Sequence, residues 1–175
     1  MHPLVQLAKE TVELYAREGT VREIREDELS PEMKQRAGVF VCLKIAGQLR
    51  GCIGTFQPHE PTLAHETVRN AISAAISDPR FSRVRAEELE RIEYTVDVLT
   101  QPEPIKDKSE LAPRRYGVIV QAGGKRGLLL PDLEGVDTVD FQISIAMQKA
   151  GIAPNTPIEL SRFEVRRYGE QEDTP

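Results

Sequence analysis

The chain has 175 residues, a length that fits one domain or one domain with a small annex. Apolar residues make up 39% and charged residues 29%, which suffices for a core under a solvated surface. A formal net charge of -5 without a long basic run argues against general nucleic-acid binding, and no stretch approaches the length of a membrane span.

Residues 3–19 read as a helix, because Leu4, Leu7, Ala8, Thr11, Val12 and Tyr15 recur at helical spacing and Gly19 is a suitable stop. Lys9, Glu10 and Glu13 interrupt this apolar run, so it is not read as a signal peptide. A cytoplasmic protein with two free thiols is the expectation. Residues 20–37 are highly charged and read as a surface connection with a short helix over 31–36.

Residues 38–56 read as a β-hairpin. Matching its apolar sets puts Val39 opposite Ile53, Val41 opposite Gly51 and Leu43 opposite Leu49, with Gly47 as the left-handed residue of a bulged turn. In that register Cys42 and Cys52 are diagonal, about 7–8 Å apart, which is poor geometry for a disulfide. A register slip of two residues would set them opposite each other.

A loop over 57–60 leads to a helix from 61 or 62 to about 77, whose alanines predict close packing on a sheet. A short helix over 85–89 precedes a strand over 92–99, where Ile92, Tyr94, Val96 and Val98 alternate with polar residues. Residues 116–121 and 126–130 form a second hairpin around Gly123-Gly124. A helix over 138–150 turns Phe141, Ile145 and Met147 toward the core, a last strand covers 158–168, and the tail from residue 169 reads as frayed. Helices interleaved with hairpins and lone strands indicate an α+β fold on an antiparallel or mixed sheet.

The stretch richest in chemical meaning is Leu49-Arg50-Gly51-Cys52-Ile53-Gly54-Thr55-Phe56. Strand alternation puts Arg50, Cys52 and Gly54 on one face, a guanidinium beside a thiol and bare backbone. Glycine weakens a strand interior, so two of them suggest that something approaches the backbone closely. The arrangement suits anion binding, thiolate activation or simple packing.

Leu49-Arg50-Gly51-Cys52-Ile53-Gly54 is similar to the signature of the AMMECR family, whose prokaryotic members are protein A of the AmmeMemoRadiSam system. The resemblance continues in order through Arg69-Asn70-Ala71, Asp78-Pro79-Arg80-Phe81, 96–100, 116–120, 126–131, 149–151 and 162–165, and so covers nearly the whole chain. It implies an α+β fold with a larger part holding both termini, a smaller inserted part, and a cleft between them. It also implies company: a Memo-type protein and a radical SAM enzyme.

The candidate catalytic residues are Cys52, as nucleophile or redox thiol, and His59, as a base just downstream. The candidate ligand set is Arg50, Gly51, Gly54, Thr55, Arg80 and Arg126, addressed to an anionic small molecule. Each has a plainer reading. Cys52 packs as a small hydrophobe, Arg50 pairs with an acid such as Asp97, and Arg80 caps helix carbonyls. Gly123-Gly124-Lys125-Arg126-Gly127 lacks the spacing of a phosphate loop and reads as a turn. No cofactor motif and no metal-ligand spacing is found, so neither is expected. Two functions remain open: a small-molecule enzyme working through Cys52, or a non-catalytic delivery partner in which Cys52 is structural.

Overall fold

A computed structural model describes residues 1–171 of the chain. In chain order the first elements are α1 (Pro3–Glu18), β1 (Val39–Ile45), β2 (Gln48–Thr55), α2 (Leu63–Ile76) and β3 (Ile92–Leu99). They are followed by β4 (Glu103–Ile105), β5 (Gly117–Ala122), β6 (Lys125–Leu129), α3 (Val139–Ala150), β7 (Glu159–Phe163) and β8 (Val165–Gly169). The fold is α+β. Two compact units are formed, Met1–Val98 with Arg166–Pro175, and Leu99–Val165. Of the tail from residue 169, residues 172–175 lie outside the described residues.

The first unit carries a four-stranded sheet in the order β2-β1-β3-β8. Its core joins Leu4, Val5, Ala8 and Val12 of α1 to the alanine-rich face of α2 and to Val39, Val41, Leu43, Tyr94 and Val96 of the sheet. Each Val or Leu buried this fully stabilises by about 1.5–3 kcal/mol before chain entropy is counted. The helices end where the sequence directs. The Thr62 hydroxyl caps α2 by accepting from His65 N, and Gly19 closes α1 at φ 68°.

The register of the first hairpin differs from the expectation. Val39 pairs with Thr55, Val41 with Ile53, Cys42 with Cys52 and Leu43 with Gly51. Lys44 then pairs with Leu49, so Arg50 is the extra residue of a bulge. The turn has only two residues, Ala46 at φ 50° and Gly47 at φ 76°. Positive φ at both central positions marks the turn whose twist matches antiparallel strands. The extra residue is therefore accommodated within β2 rather than beside the turn.

Other differences are local. Residues 31–36 make turns and not a helix, and 158–168 is two strands broken at Glu164, one in each sheet. The second unit has the order β4-β7-β5-β6, with Pro104 tolerated because β4 is an edge. Its core is Val118, Val120, Leu129, Ile143 and Ala146 among others. Phe141, expected inside, is 49% exposed, while Gln142 takes the inward position and donates to Tyr116 O at 2.8 Å. No described helix is long and apolar enough to cross a membrane.

Candidate functional site

On the sheet face that carries Phe40 and Gly54, Cys42 and Cys52 are direct cross-strand partners joined as a disulfide, with Cα atoms 4.1 Å apart. The expectation of two free thiols is corrected by the register, which sets them opposite rather than diagonal. So short a separation belongs to a non-hydrogen-bonded antiparallel pair, in which the flanking backbone groups point away from the partner strand. For Cys52 that direction is the open edge of the sheet, since β2 is an edge strand.

The edge at Cys52 is covered by the loop that leaves α2. The Asp78 carboxylate accepts from Cys52 N at 3.0 Å, and the Arg80 guanidinium donates from Nη2 to Cys52 O at 3.3 Å. Asp78 also accepts from Arg80 N and Nε at 3.0 Å and from Nη2 at 2.8 Å. Its side chain is 2% exposed, whereas that of Arg80 is 55% exposed. The Arg80 guanidinium, helped by the two peptide N–H groups and opposed by burial, holds the Asp78 carboxyl far below the usual carboxylate range. Asp78 raises Arg80 in return. Among the described residues no hydrogen bond is made by Nη1 of Arg80, and the guanidinium carbon lies 5.5 Å from the centre of the Phe81 ring. Arg80 therefore braces a strand edge instead of capping helix carbonyls.

Arg50 is engaged on all three nitrogens. Nε and Nη2 donate to the Glu88 carboxylate at 2.8 and 3.1 Å, and Nη1 donates to Ser82 O at 2.9 Å. The two side chains are 14% and 19% exposed. This bidentate bond, ahead of the Arg85 peptide N–H and against burial, lowers the Glu88 carboxyl below its ordinary value. Asp97, the acid weighed as its partner, is held instead by Arg167 through two bonds of 2.8 Å. The glycines are not bare either. A Cβ on Gly51 would sit 2.2 Å from Ala74 O of α2, and one on Gly54 would sit 2.2 Å from the Phe40 ring. The close approach read from the sequence is made by the protein itself.

Thr55 and the backbone of His59 join a polar cluster around two buried residues missed in the sequence, Glu66 and Asn70. Thr55 donates its hydroxyl to Glu66 and accepts from Asn70 Nδ2 at 3.1 Å, and Asn70 also donates to Val39 O at 2.9 Å. Glu66 further accepts from His59 N at 2.9 Å and Glu60 N at 2.7 Å. A buried carboxylate is costly unless bonded in this way. Glu66 and Asn70 lie on the apolar stripe of α2 beside Leu63, Thr67 and Ala71, and a polar residue inside such a stripe is the signal that would have found them. His59 is thus fixed through its backbone, with an exposed side chain. His65 turns its Nδ1 to Thr62 Oγ1 at 2.6 Å. Arg126 stands opposite Gln121 in β6 of the second unit. Among the described residues no group of three or more His, Cys, Asp or Glu is arranged to hold a metal.

The family model of AMMECR1 matches residues 5–172. The chain belongs to the AMMECR1 family. It is 53% identical over 171 residues to a protein of Thermotoga maritima, covering 95% of this chain and 97% of that one. A Clostridium acetobutylicum protein, CA_C1420, is 46% identical over 96% of this chain but only 36% of its own length, so there the AMMECR1 region is part of a longer chain. The crystal structure of the uncharacterized protein PH0010 from Pyrococcus horikoshii superposes with a TM-score of 0.85 at 32% identity, covering 96% of this chain and 90% of that one.

Three stretches that resemble the AMMECR family, far apart in sequence, meet at β2. Cys52 of 49–54 is bonded by Asp78 and Arg80 of 78–81. Asn70 of 69–71 is bonded to Thr55, directly after the first stretch. In this chain three of those stretches thus serve to fix one edge strand and the cysteine at its middle.

Proposed function

We propose that Cys42 and Cys52 are a reversible dithiol–disulfide couple, and that the protein exchanges thiols and disulfides with small molecules or with partner proteins. The observation that carries this reading is the direct cross-strand pairing of the two cysteines. Both residues are half-buried, so neither sulfur is sealed in the core. The Memo-type protein and radical SAM enzyme implied by the family resemblance are the protein partners this reading names. Cys52 acts here as a redox thiol and not as an acyl-transfer nucleophile, which would need a base; His59 is anchored to Glu66 only through its backbone N–H.

A second reading has its own support. Arg50 is paired with Glu88 and Ser82 and is largely buried, and the spaces beside Gly51 and Gly54 are filled, which suits a binding or delivery protein with a structural cystine.

Equilibration in glutathione buffers, followed by alkylation and mass spectrometry, separates the two. The redox reading expects both cysteines to pass together between alkylated and bridged forms while the protein stays folded. A bridge that opens only when the protein unfolds, or cysteines that never bridge, would overturn it.

A further inference from the structure

Resting on the redox reading, we infer that Arg80 is a docking group for the carboxylate of an acidic thiol or disulfide, and that Cys52 is the cysteine such a molecule meets first. Three observations converge. Cys52 lies on the edge strand, whereas Cys42 lies on β1, flanked by β2 and β3. The Arg80 guanidinium is bonded to the carbonyl of Cys52 itself, at 3.3 Å. Its inner side is held by buried Asp78 through Nε and Nη2, which fixes the plane of the fork and leaves Nη1 without a hydrogen-bond partner among the described residues on a side chain that is 55% exposed. A preorganised, half-exposed guanidinium is a suitable receptor for a carboxylate. Arg50, the cation the sequence suggested, is less open to a ligand: each of its nitrogens is already bonded within the protein and its side chain is 14% exposed.

The step balances as ordinary exchange. In the reduced protein the Cys52 thiolate attacks one sulfur of the acidic disulfide. That S–S bond breaks, the first small thiol leaves as a thiolate and takes up a proton, and a mixed disulfide remains on Cys52. The Cys42 thiolate then attacks the Cys52 sulfur and releases the second small thiol. Two protein thiols are oxidised and one small disulfide is reduced to two thiols. The reverse sequence reduces the protein with the same acidic thiol.

The test compares oxidation of the reduced protein by glutathione disulfide, which carries carboxylates, and by 2-hydroxyethyl disulfide, which carries none. Reduced dithiothreitol under the same conditions gives the intrinsic ratio of the two reagents. Wild type should prefer glutathione disulfide beyond that ratio, and Arg80→Gln should lose about ten-fold in the glutathione rate alone, while Arg80→Lys recovers part of it. Wild type also offers a check free of any folding defect. Its glutathione rate, divided by that of reduced dithiothreitol at the same salt, should fall as ionic strength rises from about 0.01 to about 0.15 M, where the Debye length shrinks from about 30 to about 8 Å, and its hydroxyethyl rate so divided should not. Cys42→Ser should accumulate the glutathione adduct on Cys52, and Cys52→Ser should form little adduct on Cys42. If neither reagent oxidises the protein, the redox reading itself fails. If both do, with equal salt dependence and no change in their ratio in Arg80→Gln, the redox reading stands and the docking role of Arg80 is overturned.

Discussion

Replacing Arg50 tests whether that guanidinium holds the fold or receives a ligand. Arg50→Ala removes a bidentate bond to Glu88 and a bond to Ser82 O, and leaves the half-buried Glu88 carboxylate short of its main partner. Bonds to charged groups contribute about 1.5–3 kcal/mol each and are not additive, so the loss should be about 3 kcal/mol. Lysine keeps the charge but cannot make the fork, and should recover no more than about a third of it. At about 2–4 °C per kcal/mol for a chain of this size, the melting transition should drop by about 6–12 °C in Arg50→Ala. Calorimetry on wild type, both Arg50 variants, Glu88→Gln and the double variant gives the coupling between the partners, expected at about 1.5–3 kcal/mol. The sign in pH follows from Glu88. Its carboxyl is lowered in the folded state, so the stabilisation is complete above its unfolded value and fades as pH falls below it. An Arg50→Ala protein that melts like wild type yet loses affinity for small anions would refute this argument and restore Arg50 to a ligand site.

Two further outcomes follow from the same geometry. Asp78→Asn should cost about 3 kcal/mol, because a buried carboxylate with four donors is replaced by an amide that cannot accept them all. Since the folded carboxyl lies well below its ordinary 3.8, the stabilisation is full above that value and lost as pH falls beneath it. The variant should therefore lose stability less steeply than wild type in acid urea titrations, and parallel acid limbs would contradict the assignment. Gly51→Ala should destabilise more than Gly54→Ala, because the first collides with the Ala74 backbone carbonyl and the second with the root of the Phe40 ring, which a change of side-chain rotamer can clear. Reversal of that order in denaturant midpoints would show that the α2 contact is not rigid.

What was legible in the sequence was local. Alternation from Ile92 to Leu99, helical spacing from Leu4 to Tyr15, and the caps at Gly19 and Gly151 each signal an element within one stretch, and those elements form. The hairpin existed in the pattern too, but its register did not. From Val39 to Leu43 the two pairings differ by a slip of two residues, which keeps each side chain on its own face, so apolar matching there cannot distinguish them; only Leu49, beyond the bulge, changes face. The two-residue turn decided the matter, and with it the fate of both cysteines. The partners of the candidate site were hidden for another reason. Arg50 meets Glu88 across 38 residues and Cys52 meets Asp78 across 26, and nothing in either stretch names the other. Glu66 and Asn70 were readable in principle, as polar residues within a buried helical stripe.

The position of the cystine also bears on whether opening it leaves the fold intact. The bridge spans a sequence separation of ten residues, and closing so short a loop restricts the unfolded chain by roughly 3 kcal/mol or less. The hairpin is held by much more than that. Val41 pairs with Ile53 and Leu43 with Gly51 on either side of the bridge, β1 is paired along its other side by β3, and Gly51 is pressed against α2. At the bridge itself the Cys52 backbone is bonded by Asp78 and Arg80, which do not depend on the sulfur. Breaking the S–S bond therefore removes one restraint among several and frees no strand. A staple meant to hold an edge strand would be of more use where those other restraints are missing. A redox pair, by contrast, needs surroundings that keep both sulfurs in register whichever state they are in, and the Asp78–Arg80 brace with the flanking β1 pairs supplies them.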